Sequence, residues 1–213
     1  MLERETRRET RRGLEVCTLS QIDFDYLAKH GLSLNQDTAQ RQGRQTVYTD
    51  PCYWKRYCEA GKQVPGLTGW GVMIDGKLAT YLVAAEDEGW WNWLLTNSDS
   101  ALLKKRSSNV LFYEVTHRFF MNNPHKKICY GLGSLESVPK LDRFKVNIGV
   151  TMMPIKQRIV FSAHLRYALA FLREPVLKTL GLLFPKNYSV RKASAMIRLY
   201  RQQTYKMVGS SSV

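Results

Sequence analysis

The chain has 213 residues, 44% hydrophobic and 23% charged, which excludes wholesale disorder and collagen-like repeats and leaves room for one domain with a sizeable core. Lys and Arg number 32 against 18 Asp and Glu, a formal net charge of +14. The excess is a C-terminal property: residues 1–142 hold 19 basic and 17 acidic side chains, whereas 143–213 hold 13 basic ones and a single acid, Glu174.

The opening MLERETRRETRRGLE lacks the apolar stretch of a secretory signal, and no window reaches about 18 uninterrupted apolar residues. Residues 1–13 read as a charged, frayed tail. Leu14 to Thr18 fits a short strand. Ser20 is placed to cap a helix through QIDFDYLAKHG that stops at Gly31, and the polar run 33–49 reads as a loop. Asp50 caps the next helix, which begins with Pro51 and carries Tyr53, Trp54 and Tyr57.

From 67 to 96 the pattern changes to three runs of β-branched and aromatic residues, reversed at Asp75-Gly76 and at Glu86 to Gly89: an antiparallel meander. A basic loop follows, and then NVLFYEVTHRFFMNN has helical spacing, capped by Ser108 or Asn109 and ended by Asn123-Pro124. KKICYGLG predicts a strand, VPKLDRFKVNIG a short helix closed by Gly149, and MMPIKQRIVFS a final strand. The order is that of an α+β (α/β) domain over residues 14–163 with a mixed, mainly antiparallel sheet flanked by helices. Residues 164–213 form a basic helical extension of two amphipathic stretches, separated at Pro185 and kinked at Pro175, with a flexible GSSSV end.

The four cysteines, Cys17, Cys52, Cys58 and Cys129, lack zinc-ligand spacing and read as reduced thiols in a cytoplasmic protein. His30, His117, His125 and His164 are scattered, so neither a metal site nor a Ser/His/Asp set is expected. Trp90, Trp91 and Trp93, with Trp54 and Trp70, either fill the core or line an acceptor pocket. Lys104, Lys105 and Arg106 directly precede Ser107, Ser108 and Asn109 at a helix start, where free N–H groups and the helix dipole add to three cations to make an anion site.

The segment from Ser107 to Phe161 resembles the Fem-like branch of the GNAT acyltransferase superfamily: a helix, a strand ending in glycine, the Leu-Asp-Arg-Phe-Lys helix with Phe144-Lys145 and Gly149, and a closing strand. The resemblance extends over roughly residues 14–163, and the two-glycine pyrophosphate loop of ordinary members is absent. It implies an N-acyltransferase using acyl-coenzyme A, acetyl-coenzyme A as the expected form, with pantetheine against the backbone of Trp93, Leu94, Leu95 and Thr96 and pyrophosphate at the loop before Asn109. Backbone N–H groups near Leu94 and Leu95 would hold the oxyanion.

The base is sought among Glu136, then Glu86, Asp87 and Glu88; Tyr130 is a distant substitute for the acid tyrosine of conventional members. The acceptor would be a small-molecule amine or an amine of a peptidoglycan or polysaccharide precursor, and a homodimer would make up for a missing second domain. Two other readings stand beside this one: a Fem-type transferase fed by aminoacyl-tRNA, and a non-catalytic module whose basic helices, 164–213, contact a polyanion or the inner membrane face. Nucleic-acid recognition has only charge behind it and is not expected.

Overall fold

The computed structural model describes residues 3–131, 139–151, 153, 158–171, 183 and 187–209. They fall into two compact units, one over 1–132 and 140–151 and one over 133–139 and 152–213.

The first unit is built on a five-stranded sheet in the order β1 (Thr18–Ile22), β2 (Leu67–Ile74), β3 (Lys77–Asp87), β4 (Trp90–Ser98), β5 (Lys127–Cys129). The first four strands are antiparallel and β5 joins β4 in parallel. Asp75 and Gly76 both take positive φ, 49° and 75°, as a two-residue hairpin turn with the twist of its strands requires. The central strand β3 is buried on both faces. Tyr81 and Val83 look toward α2 (Phe24–Gln42) and α3 (Pro51–Gly61), joining Phe24, Leu27, Leu34, Trp54 and Cys58. Leu82 and Ala84 look the other way, joining Val110, Leu111, Phe112 and Val115 of α4 (Ser107–Asn122), with Phe144 of α5 (Pro139–Asn147) and Ile148 just after it packed against that side. Each fully buried aliphatic side chain contributes about 1.5–3 kcal/mol by leaving water, so the two apolar layers fix the sheet between its helices.

Six expectations are corrected. Residues 4–14 are not a frayed tail but a helix, α1 (Arg4–Leu14). The repeat RETRRETRR sets Thr6 and Thr10 four residues apart, so both fall on one face with Gly13, and all three are buried. A Cβ at Gly13 would lie 2.6 Å from Val110 Cγ2, so a small residue is what lets α1 approach α4. The first strand is Thr18–Ile22 rather than 14–18, and Ser20 lies within it opposite Gly71. Asp23 caps α2 instead, its carboxylate accepting from Tyr26 N at 2.6 Å.

Helix α2 also runs past Gly31 to Gln42 and ends at Gly43, so half of the expected loop is helical. The buried partners of Asn35 and Thr38 override that segment's polar composition: Asn35 Nδ2 donates to Tyr48 O at 2.9 Å and Thr38 Oγ1 to Ser98 O at 3.0 Å. Finally, α4 starts at Ser107, and neither Ser108 nor Asn109 caps it.

In the second unit, α6 (Ala163–Phe171) and α7 (Tyr188–Gly209) are joined by Arg201 Nη2 donating to Leu169 O at 3.4 Å, with Phe161 edge-on to Tyr200 at 5.0 Å. The expected closing strand is not formed over residues 158–162. A strand exists only through a ladder partner, and none pairs with residues 158–162 among the described residues. Residues 152 and 154–157 of that stretch lie outside the described residues, as do Glu136, Pro175, Pro185 and residues 210–213. Among the described residues no helix is long and apolar enough to cross a membrane.

Candidate active site

Strands β4 and β5 run together for only three pairs: Trp90 with Lys127, Trp91 with Ile128 and Asn92 with Cys129. Beyond Asn92 no β5 partner is present among the described residues. On its other edge β4 carries a bulge, because Val83 pairs with Leu95 and Ala84 with Trp93, which leaves Leu94 as the extra residue. The bulge bends β4 where β5 stops, and Leu94 is 55% exposed. The backbone from Trp93 to Thr96, expected to meet pantetheine, is therefore the stretch of β4 without a β5 partner among the described residues.

The side chains at this fork differ from their backbone. Trp93 belongs to the core: its indole stacks on Phe112 at 4.9 Å and tilts against Tyr130 at 5.3 Å, and its buried Nε1 has no partner among the described residues. Trp91 stacks on Phe119 at 4.6 Å, so Trp91 and Trp93 are packing residues. Tyr130, directly after β5, lies against Phe112 at 5.2 Å, and its burial raises the phenol above its ordinary value. It stays protonated at neutral pH.

Above Tyr130 the structure places a residue not singled out from the sequence as part of a site. Lys145 on α5 is 7% exposed, the one buried charged side chain among the described residues, and its Nζ lies 5.1 Å from the centre of the Tyr130 ring. No carboxylate pairs with it among the described residues. The signal was present in the sequence: Leu141, Phe144 and Ile148 mark one helical face, and Lys145, four residues after Leu141, falls on it. A cation at an apolar position of an amphipathic helix is the kind of exception that marks a site.

The basic loop is arranged differently from its sequence reading. Lys104 and Lys105 are exposed in a 3-10 turn. Arg106 takes left-handed φ, 66°, as the residue before α4, and its Nε is already paired with the Glu9 carboxylate of α1. Having no acceptor oxygen in its side chain, Arg106 cannot cap the helix, and no side chain does. Ser107 is fully buried with its hydroxyl unpartnered among the described residues, while Ser108 Oγ lies 3.3 Å from Ser98 Oγ and Asn109 is half-buried. The first turn of α4 thus has no side-chain cap, and the two lysines before it form no ion pair among the described residues.

A buried polar network, missed because 33–49 read as a loop, holds the far end of β4. Asn35 Oδ1 accepts from Tyr81 Oη and, at 2.8 Å, from Asn97 Nδ2; Ser98 N donates to Thr38 Oγ1 at 3.0 Å. It ties the half of β4 beyond Asn92 to α2.

Of the carboxylates, Glu86 faces Trp91 across the β3–β4 ladder and pairs with Lys126 Nζ. That is the closed end of β4, three residues or about 10 Å along the strand from Leu94. Asp87 and Glu88 are exposed at the same turn. His117 stacks on Tyr113 at 5.9 Å, and no group of three His, Cys, Asp or Glu able to hold a metal is present among the described residues.

No family model and no curated protein matches the chain. Solved structures do. FemX superposes with a TM-score of 0.57 at 12% identity over 70% of this chain and 54% of its own, so this chain spans about half the length of FemX. The ribosomal-protein-alanine N-acetyltransferase of Brucella melitensis biovar Abortus 2308 gives 0.51 at 13% identity, over 69% of this chain and 99% of its own. An aminoglycoside acetyltransferase from an uncultured soil metagenomic sample gives 0.53 at 11%, over 68% and 99%. The chain thus has the GNAT acetyltransferase fold, which FemX shares.

Proposed function

We propose that the chain is an N-acyltransferase that passes an acyl group, acetyl in the simplest case, from acyl-coenzyme A to an amine. The observation that carries this reading is the edge of β4 from Trp93 to Thr96, which has no β5 partner among the described residues, beside the bulge at Leu94. That edge offers backbone N–H and C=O groups to an extended amide chain in the way an added strand uses them. The first turn of α4, uncapped by any side chain among the described residues, and the exposed Lys104 and Lys105 suit a diphosphate.

Lys145 supplies the electrostatics. As an amine adds to a thioester carbonyl and the C–S bond breaks, negative charge builds first on oxygen and then on sulfur. A cation held in an apolar cluster stabilises that charge more than one in water would. The attacking amine must also shed a proton. Glu86 sits at the closed end of β4, so the base is assigned to Glu136 on chain order alone, six residues beyond Tyr130.

A second reading, the fold kept as a binding module without acyl transfer, is favoured by one observation: Glu9 already engages one of the three expected phosphate-binding cations, Arg106. Calorimetric titration with coenzyme A and acetyl-coenzyme A separates the two. Acyl transfer expects both to bind, and expects replacement of Lys104, Lys105 and Arg106 by Ala together to weaken binding by about tenfold. Absence of binding, or binding indifferent to the three substitutions, supports the module.

A further inference from the structure

The outer face of α1 lies outside the machinery assigned to acyl transfer. Thr6, Thr10 and Gly13 are buried and fix the inner face, with Gly13 set against Val110 of α4. The helical period then places every other side chain of α1. Arg4, Arg7, Arg8, Arg11 and Arg12 fall on one continuous arc of about 140° opposite the buried face, about 12 Å long. All five are exposed. Glu5 and Glu9 border the arc on one side and Leu14 on the other, and no apolar side chain interrupts it.

Arg8 lies 3.9 Å from Glu5 and 4.0 Å from Glu9, and Arg12 lies 3.6 Å from Glu9, whereas Arg4, Arg7 and Arg11 form no ion pair among the described residues. Those three follow one another at three- and four-residue steps, a single row along the helix. Like charges at such steps destabilise a helix, so the row does not serve the fold.

We propose that this arc docks on the phosphodiester backbone of a nucleic-acid duplex. Every cation on it is an arginine, whose planar fork matches the oxygens of a phosphate. Packing against α4 holds the helix in place, so little backbone is left to order on binding. A bilayer attracts the same cations, but it holds a helix through an apolar face sunk beneath the headgroups, and this arc has none to sink. Charge spread along the sequence offered no face for nucleic acid; the fold supplies one, because residues 4–14 are a helix and not a tail. Docking there needs no coenzyme A.

The test is fluorescence anisotropy of the full chain with a labelled, mixed-sequence DNA duplex of about 20 base pairs, at salt concentrations from about 50 to 200 mM. The C-terminal half is basic too, so the variants and not the total affinity locate the site. Arg4→Gln/Arg7→Gln/Arg11→Gln is expected to bind roughly 100-fold more weakly at the lowest salt, with a log–log salt slope shallower by about 2.7, at about 0.9 per phosphate contact. Arg4→Lys/Arg7→Lys/Arg11→Lys keeps the charges without the forks and is expected to hold the slope while losing at most about tenfold. Circular dichroism should be unchanged in both, since the three side chains are exposed. No duplex binding at the lowest salt, a Gln variant that binds as the unaltered chain does, or a Lys variant with the shallow slope of the Gln one overturns the proposal. So does binding to phosphatidylglycerol vesicles that falls in the Gln variant while duplex binding does not.

Discussion

The Lys145 ammonium stands over the Tyr130 ring at 5.1 Å, inside the aromatic cluster that Tyr130 forms with Trp93 and Phe112. A lysine kept only for packing would be replaced there by an apolar residue at little cost, since its burial is paid for in desolvation. Lys145→Met is therefore expected to leave the melting temperature unchanged or raise it, while thiol release from acetyl-coenzyme A with an amine mixture falls about 100-fold. A lower melting temperature with an unchanged rate would make Lys145 a structural residue and refute its assignment to the thioester.

Arg106 is shared between two demands, because its Nε is paired with Glu9 of α1 while its position before α4 suits a phosphate. Glu9→Gln removes the competing charge. Since an ion pair with one exposed partner, Arg106, is worth about 1 kcal/mol, coenzyme A affinity should rise by about fivefold. Titration of Glu9→Gln in an Arg106→Ala background is expected to show no gain; a gain that persists there assigns the effect elsewhere.

Gly31 shows two effects in opposition. Replacing a mid-helix glycine by alanine gains about 1 kcal/mol in helix propensity. A Cβ at that position would lie 2.7 Å from Cζ2 of Trp54, a ring 1% exposed and pinned by its Nε1 donating to Leu27 O at 3.3 Å. Overpacking costs about 1–3 kcal/mol, so the steric effect wins, and Gly31→Ala is expected to lower stability in urea denaturation. An increase would mean that Trp54 has room to move.

Alkaline pH should unfold the protein earlier than its net charge suggests. Burial, helped by the charge of Glu59, pushes the Cys58 thiol from its ordinary 9.0 up to about 12, and burial raises the phenols of Tyr57, Tyr81 and Tyr130 above their ordinary 10.0. The folded state holds each proton more tightly than the unfolded one. Their contribution is complete below pH 9 and is lost as pH rises from 9 toward 12. Thermal melts between pH 7 and 11 are expected to fall above pH 9, and Cys58→Ala should flatten the first part of the fall. A melting temperature constant to pH 11 contradicts this.

Much of the first unit was legible because its signals are local. Asp75-Gly76 dictates its hairpin, Asp50-Pro51 starts its helix, and the β-branched and aromatic runs from 67 to 96 pair with their chain neighbours. Residues 4–14 and 32–42 were misread for one shared reason: their polar threonines and asparagine looked solvated, and only packing shows that Thr6, Thr10, Asn35 and Thr38 face inward. Their partners, Val110 for α1 and Ser98 and Tyr81 for α2, are distant in sequence.

The same division runs through the site. By itself the sequence determined that Lys104, Lys105 and Arg106 precede a helix and that Trp93 to Thr96 end a meander strand, because both follow from neighbours in the chain. The tertiary structure alone decided that Arg106 is already paired with Glu9 and that β5 leaves β4 after Asn92. It also decided that Lys145 is buried over Tyr130. Those facts depend on which elements meet, and the burial that makes a charge consequential is set by the packing of residues far apart in the chain.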